Sequence, residues 1–447
     1  MSKIRQTLCR LIERIDWFKN NSLYGIQKRI YDNILKERLE LKGAVLIEGA
    51  KWCGKTTTGL HSSNSVIYMQ DADNYDLYVN IANIQPSLLL KGETPRLIDE
   101  WQVAPKLWDA VRFEIDKRGM MGQFILIGSS TPTNLDEIVH SGIGRITKMK
   151  MRTMSLFESG DSSGEVSLKK LLEKDYGVFG SSDVDIERLA FLIVRGGWPG
   201  AINLSEKAAL FQAKDYVESL CESDLSKTLK VKADKNRVRY VLKSYARGIG
   251  SQIKYEEMRK DVVNHEALDT FAISTFYQYI SALRDLFVIE DSPAWNLNFR
   301  SKSAIRTTDT RYFVDPSIAT AVLGMGPNDL INDLESFGRF FENLVVRDLR
   351  VYADSIGAEV FHYRDKDNLE CDAVLHFKNG SYALIEIKLG GEKLIEKGVE
   401  SINKLEKKLI KEGLNSPIFK AVIVGVGPYA YRRKDSVIVI PISCLKD

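Results

Sequence analysis

The stretch Gly49-Ala50-Lys51-Trp52-Cys53-Gly54-Lys55-Thr56 constrains this chain more than any other, because it spaces two glycines, a lysine and a threonine as GxxxxGK[ST]. Glycines at both ends of such a loop let the backbone wrap phosphate groups with its own N–H groups. The lysine reaches the terminal phosphates, and the hydroxyl after it ligates a magnesium ion. That chemistry requires a buried strand before the loop and a helix after it. The apolar run Ala44-Val45-Leu46-Ile47 supplies the strand, and Thr56 opens a helical stretch. Gly49, Gly54, Lys55 and Thr56 are therefore expected to bind ATP and Mg2+. Trp52 and Cys53 are unusual in such a loop and read as packing residues.

Short apolar runs recur at Ser65-Val66-Ile67-Tyr68, Arg96-Leu97-Ile98 and Phe124-Ile125-Leu126-Ile127, with helical stretches between them. This alternation predicts an α/β fold, a parallel sheet covered on both faces. Leu97-Ile98-Asp99-Glu100 places adjacent carboxylates at a strand end, where Asp99 is expected to hold magnesium through water. Glu100 is expected to orient and deprotonate the attacking water. Ser129-Ser130-Thr131 follows the last of these runs, and a polar side chain there can sense the terminal phosphate, although an ordinary turn explains these residues nearly as well. An arginine is needed against the charge of the transferring phosphoryl group. Arg145, Arg152 and Arg195 are candidates, with Arg145, after Ser141-Gly142-Ile143-Gly144, preferred.

At 447 residues the chain exceeds one ordinary domain. Four regions are expected: N-terminal helices over 1–42, with Ile26, Ile30, Ile34 and Leu35 on one face; a P-loop ATPase domain over 43–200; a helical region over 201–305; and a C-terminal α/β domain over 306–447. Cys9, Cys53, Cys221, Cys371 and Cys444 show no CxxC spacing, which points away from zinc and disulfides and toward a reducing, cytoplasmic compartment. No run reaches the roughly 18 apolar residues of a membrane span, and the N-terminus lacks the uninterrupted apolar core of a signal peptide.

In the last region the order is a helix through Glu342, three strands, a charged helix and a strand, with Asp372 on the second strand and Glu386-x-Lys388 on the third. Alternation along a strand points Glu386 and Lys388 the same way, and a hairpin with the preceding strand brings Asp372 beside them. Two such carboxylates hold Mg2+, and the lysine positions or activates the water that attacks a phosphodiester. Charges on apolar central strands need a partner or a metal. The region resembles a PD-(D/E)xK nuclease core, a restriction-endonuclease-like fold in which Glu342 matches the fourth acidic position. That fold also persists where catalysis is lost.

Between residues 227 and 260 there are 11 Lys or Arg against Asp234, Glu256 and Glu257. Such a stretch can bind DNA phosphates without sequence preference, although basic runs are more often solvated helix faces. The helix from Ser274, with Phe276, Tyr279, Ile280, Leu283 and Phe287 inward, followed by Val288-Ile289, looks like a winged helix. Arg300, Lys302 and Arg306 are expected near its wing or linker.

Over nearly its whole length the chain resembles the AAA+-type ATPases (AAA_14) that carry a C-terminal DUF4143 domain. Leu46-Ile47-Glu48-Gly49 through Thr56-Thr57, Pro95 through Gln102, Phe124 through Ser130, Gly144-Arg145 with Met154-Ser155-Leu156-Phe157-Glu158, and Gly196-Gly197-Trp198-Pro199 carry the likeness. The commoner family loop has Pro-Arg-Gln-Val where Ala50-Lys51-Trp52-Cys53 stand here, a departure that keeps the glycines, Lys55 and Thr56. The resemblance implies ATP hydrolysis, adds Thr57 to the nucleotide-binding residues, and implies a homo-oligomer, since such sites often take an arginine from a neighbouring subunit. Three readings follow: an ATPase coupled to a nuclease-like domain acting on DNA, a nucleotide-controlled DNA- or protein-binding switch with an inactive nuclease-like domain, and a STAND-like switch that holds ATP for long periods.

Overall fold

The computed structural model describes residues 28–129, 142–174, 177–229, 234–266, 271–296 and 308–447. Cys9, Ile26 and the first expected N-terminal helix lie outside the described residues, as do Ser130, Thr131, Ser141, Arg300, Lys302 and Arg306. The chain divides into two compact units, Met1–Arg152 and Thr153–Asp447.

The first unit is built on a five-stranded sheet. Its strands are β1 (Ala44–Glu48), β2 (Ser65–Tyr68), β3 (Arg96–Asp99), β4 (Phe124–Gly128) and β5 (Ile146–Lys150), in the order β2-β3-β4-β1-β5. All its pairings are parallel, as the continuous apolar runs require when helices cover both faces. Helices α1 (Ile30–Leu41), α2 (Lys55–His61), α3 (Tyr75–Ile84) and α4 (Lys106–Arg118) belong to this unit. On α1, Ile30, Ile34, Leu35 and Leu39 are buried at the spacing of one helical face. Register aligns the carboxyl ends of the central strands: Glu48 pairs with Gly128, and Asp99 with Ile127. The loop after β1, the acids ending β3 and Ser129 after β4 are thus brought to one edge, a consequence of parallel pairing that no single segment encodes.

The second unit contains α5 (Ile186–Arg195), α6 (Lys235–Arg247), α7 (Tyr255–Glu266), α8 (Ile273–Asp285) and α9 (Leu334–Ile356). It also contains the strands β6 (Ala358–Arg364), β7 (Glu370–Phe377) and β8 (Tyr382–Gly390), then α10 (Glu392–Lys411), β9 (Lys420–Val426), β10 (Tyr429–Arg432) and β11 (Val437–Pro441). The strand Gly180–Ser181 leads a seven-stranded sheet that continues β10-β11-β9-β8-β7-β6. β7 is antiparallel to β6 and β8, whereas β9 is parallel to β8. Leu384 and Val422 of the sheet share a buried cluster with Val399, Ile402 and Leu405 of α10, so the amphipathic α10 covers that face. After α8, antiparallel bridges Ile289↔Phe313 and Ser292↔Thr310 join two extended segments.

Residues from Thr153 onward pack with the second unit, although the expected ATPase domain extended to residue 200. The Thr153 hydroxyl donates to Asp315 at 2.7 Å, and the Leu156 N–H donates to Asp348 at 2.9 Å. Arg347, fully buried, pairs with Asp315 at 3.0 Å and Asp348 at 2.7 Å. Burying these charges is tolerable only because each meets an opposite charge and further donors. A tie between residues so far apart leaves no mark in local periodicity.

Candidate functional site

The loop between β1 and α2 has the backbone its glycines were expected to permit. Gly54 lies at φ +100°, in the left-handed region, and a Cβ on Gly49 would stand 2.1 Å from the Met151 carbonyl oxygen. Lys55 is buried, and its ammonium donates to the Gly49 and Ala50 carbonyls, each at 2.8 Å. The side chain thus lies folded onto its own loop. Thr56 Oγ1 lies 3.3 Å from both carboxylate oxygens of Asp99, whereas Thr57, the next residue of α2, is exposed. Burial, reinforced by the neighbouring Glu100, pushes the Asp99 carboxyl up to about 6. A hydroxyl and a carboxylate held together in that environment suit a hard divalent cation, which would relieve the carboxylate's desolvation.

Glu100 adopts φ +54°, uncommon for a residue with a side chain. This conformation ends β3 abruptly. Its carboxylate accepts from the Ser129 hydroxyl at 3.0 Å and from the Gln102 amide. Of the three polar residues proposed to follow β4, Ser129 is thus brought to Glu100; Gln102 was not singled out, although it sits two residues beyond the acid pair.

Arg145 is not brought to this loop within the chain. It precedes β5, and its carbonyl accepts from Ala44 N–H at 3.1 Å at the start of β1, so a strand of about 16 Å separates it from the loop. Its guanidinium, half exposed, pairs with Asp116 at 2.8 Å. Arg152 follows β5, and its guanidinium donates to the Tyr31 hydroxyl at 3.3 Å. Arg195 belongs to the second unit and pairs with Asp161 at 2.7 Å.

In the second unit Asp372, Glu386 and Lys388 meet, and Glu342 lies near enough to feel the Asp372 charge. Antiparallel pairing opposes Ala373 to Ile385, which sets Asp372 level with Glu386. The Lys388 ammonium stands 3.0 Å from Asp372 and 2.6 Å from Glu386, and Asp372 also accepts from the Ile387 N–H at 2.7 Å. Glu386 is buried, and its Oε1 has no hydrogen-bond partner. On α9, Glu342 accepts from the Tyr312 hydroxyl, a partner not anticipated because it lies 30 residues away. Burial, then the Asp372 charge, pushes Glu342 up to about 8 and Glu386 well above the usual carboxylate range. Burial opposes the Lys388 ammonium, but Asp372 and Glu386 outweigh it and hold the lysine charged. Gly398 of α10 lies over the cluster; a Cβ there would be 3.4 Å from Glu386 Cβ.

Carboxylates are the ligand type a divalent cation takes, and one of these, Glu386, has an orphaned buried oxygen. Among the described residues, however, no three His, Cys, Asp or Glu side chains stand close enough together to hold a metal. Lys388 occupies the space between two of the carboxylates.

The basic stretch is partly neutralised where it is described. Lys235 pairs with Glu222 at 3.5 Å, Arg239 with Glu218, and Arg247 with Asp261. On α8, Phe276, Tyr279, Ile280 and Leu283 are buried, and Ser274, Tyr277, Gln278 and Ser281 face solvent. Cys53, Cys221, Cys371 and Cys444 are buried free thiols. No helix among the described residues is long and apolar enough to cross a membrane.

Three family models match successive parts of the chain: an AAA domain (AAA_14) over residues 41–159, a domain of unknown function (DUF8612) over 186–329, and a domain of unknown function (DUF4143) over 337–445. The chain thus carries an AAA-type, ATPase-like domain. Relatives include the uncharacterized proteins Mb2031c of Mycobacterium bovis and Rv2008c of Mycobacterium tuberculosis, each 21% identical over 419 residues, covering 93% of this chain and 84% of theirs. Among solved structures, the Walker-type ATPase PABY2304 of Pyrococcus abyssi matches with a TM-score of 0.40 and 13% identity, covering 67% of this chain and 99% of that one. The ORC2 protein of Aeropyrum pernix matches with a TM-score of 0.28 and 12% identity, covering 59% and 85%.

Proposed function

We propose that the chain is an ATP-hydrolysing AAA+-type protein whose second unit carries a nuclease-like centre acting on DNA. One observation carries the ATPase part: Lys55, Thr56, Asp99, Glu100 and Ser129, from three segments, meet at one edge of a parallel sheet. The loop N–H groups and Lys55 bind the phosphates, Thr56 and Asp99 hold Mg2+, and Glu100 takes a proton from the attacking water while Ser129 and Gln102 fix its carboxylate. Magnesium, when bound, supplies charge neutralisation on the terminal phosphates.

The meeting of Asp372, Glu386 and Lys388, with Glu342 nearby, supports the nuclease-like reading of the DUF4143 region. Asp372 and Glu386, the pair that Lys388 now bridges, would hold a divalent cation, with Glu342 drawn in on binding, and Lys388 would then be released to orient water. The α6-α7-α8 helices with the bridged segments after them support a winged-helix reading, with Ser274, Tyr277, Gln278 and Ser281 as the face turned to a duplex.

The test incubates the full chain with plasmid, ATP and Mg2+ or Mn2+, and measures cutting and phosphate release together. Expected are multiple-turnover phosphate release lost in Lys55→Ala, and cutting lost in Asp372→Ala and in Lys388→Ala. Cutting that survives both substitutions comes from a contaminant and overturns the nuclease reading. Release without any cutting supports the second reading, a nucleotide-controlled binding switch, which the Lys388 contact with both carboxylates favours.

A further inference from the structure

We propose that Arg29, which precedes the first turn of α1, is a positioning residue for the nucleotide: it aims the phosphate-binding loop by holding the Cys53 carbonyl. The inference rests on the nucleotide-binding reading of that loop. Arg29 is buried, and its guanidinium donates to the Cys53 carbonyl at 2.8 Å and to the Arg152 carbonyl at 3.0 Å. Its planar fork therefore bridges the loop to the chain leaving β5. One charged group donating to two backbone carbonyls in a buried place is a stiff connection.

The peptide plane turns this connection into an effect on the ligand. In a trans peptide the C=O and the next N–H point in opposite directions. Fixing the Cys53 carbonyl toward Arg29 therefore turns the Gly54 N–H away from Arg29, toward the side on which the phosphates are proposed to bind. Gly54, at φ +100°, has the freedom to turn otherwise, so an outside hold on this peptide matters here. The same short stretch of α1 also reaches the far end of α2: Asp32 accepts from the Arg29 N–H at 3.0 Å and lies 3.3 Å from His61 Nδ1. Arg29 thus holds the loop that enters α2, and Asp32 the last residue of α2. The sulfur of Cys53 donates to the Met151 carbonyl at 3.6 Å, which leaves the peptide carbonyl of Cys53 as the point that Arg29 controls.

The experiment measures ADP affinity by titration, and ATP turnover with Mg2+, in the full chain and in Arg29→Met and Arg29→Lys. Methionine fills the buried stem without donors, and lysine offers one flexible ammonium in place of the two-pronged fork. The expected result is a loss of about tenfold in ADP affinity for Met and a smaller loss for Lys, falling on KM for ATP more than on kcat. Guanidinium ion added to the Met variant is expected to restore part of the affinity. A folded Met variant, judged by its melting temperature, that binds ADP within about twofold of wild type overturns the proposal, because a residue that merely glues α1 in place leaves affinity alone. If Met does not fold, unchanged ADP affinity in Lys overturns it. A wild-type chain that binds neither ADP nor ATP overturns the nucleotide-binding reading itself, and this proposal with it.

Discussion

The Ser129 hydroxyl donates to the Glu100 carboxylate at 3.0 Å, joining the ends of two neighbouring strands at the edge where the phosphate-binding loop opens. A carboxylate so held presents its remaining lone pairs in a fixed direction. Glu100→Gln is expected to lower kcat by about 10² to 10⁴ while ATP still binds, and Ser129→Ala to lower it by about tenfold through loss of orientation. Steady-state phosphate release with parallel nucleotide titrations checks both. A Ser129→Ala variant with unaltered kcat would show that the bond is only a turn contact.

Asp99 supplies a pH dependence. Burial raises its carboxyl to about 6 from 3.8, so the group is protonated below that pH and cannot serve a cation. The kcat/KM for Mg2+-ATP is expected to fall with an acid limb centred near pH 6 and to be level between about 7 and 8. A profile flat down to pH 5 contradicts this assignment.

Lys388 stands where a cation is needed. Lys388→Met leaves Asp372 and Glu386 buried without their counter-charge, at an expected cost of about 3–5 kcal/mol. Mn2+ or Mg2+ should return much of that stability, so the melting temperature of the variant should rise with divalent ion more than that of wild type. Equal responses in the two proteins would mean that the carboxylates do not bind the metal.

Glu342 links stability to pH with the opposite sign from a surface acid. Its carboxyl is raised from 4.5 to about 8 by burial and by Asp372, so between those values the folded chain holds a proton that the unfolded chain releases. Its contribution is complete below about 4.5 and is lost as pH climbs through 8, with a slope approaching about 1.4 kcal/mol per pH unit. Urea unfolding in EDTA at pH 5 and pH 8 measures it. Glu342→Gln, which still accepts from Tyr312, should flatten the decline; an identical slope in the variant assigns the titration elsewhere.

What could be read from residue order alone was local. The spacing Gly49, Gly54, Lys55, Thr56 specifies a turn and its donors within eight residues, and apolar runs of four or five specify buried parallel strands. The pairing of Glu386 with Lys388 was likewise set by strand alternation. Tertiary structure decided which distant groups meet. Strand order put Ser129 beside Glu100, and parallel pairing kept Arg145 at the amino ends of the strands, paired with Asp116. Packing placed Tyr312 on Glu342, Arg29 on the Cys53 carbonyl, and Thr153 on Asp315. Short-range backbone preferences are written residue by residue. Contacts across many residues arise only when buried polar groups must find partners in the folded interior, and the nearest partner there is set by the path of the whole chain.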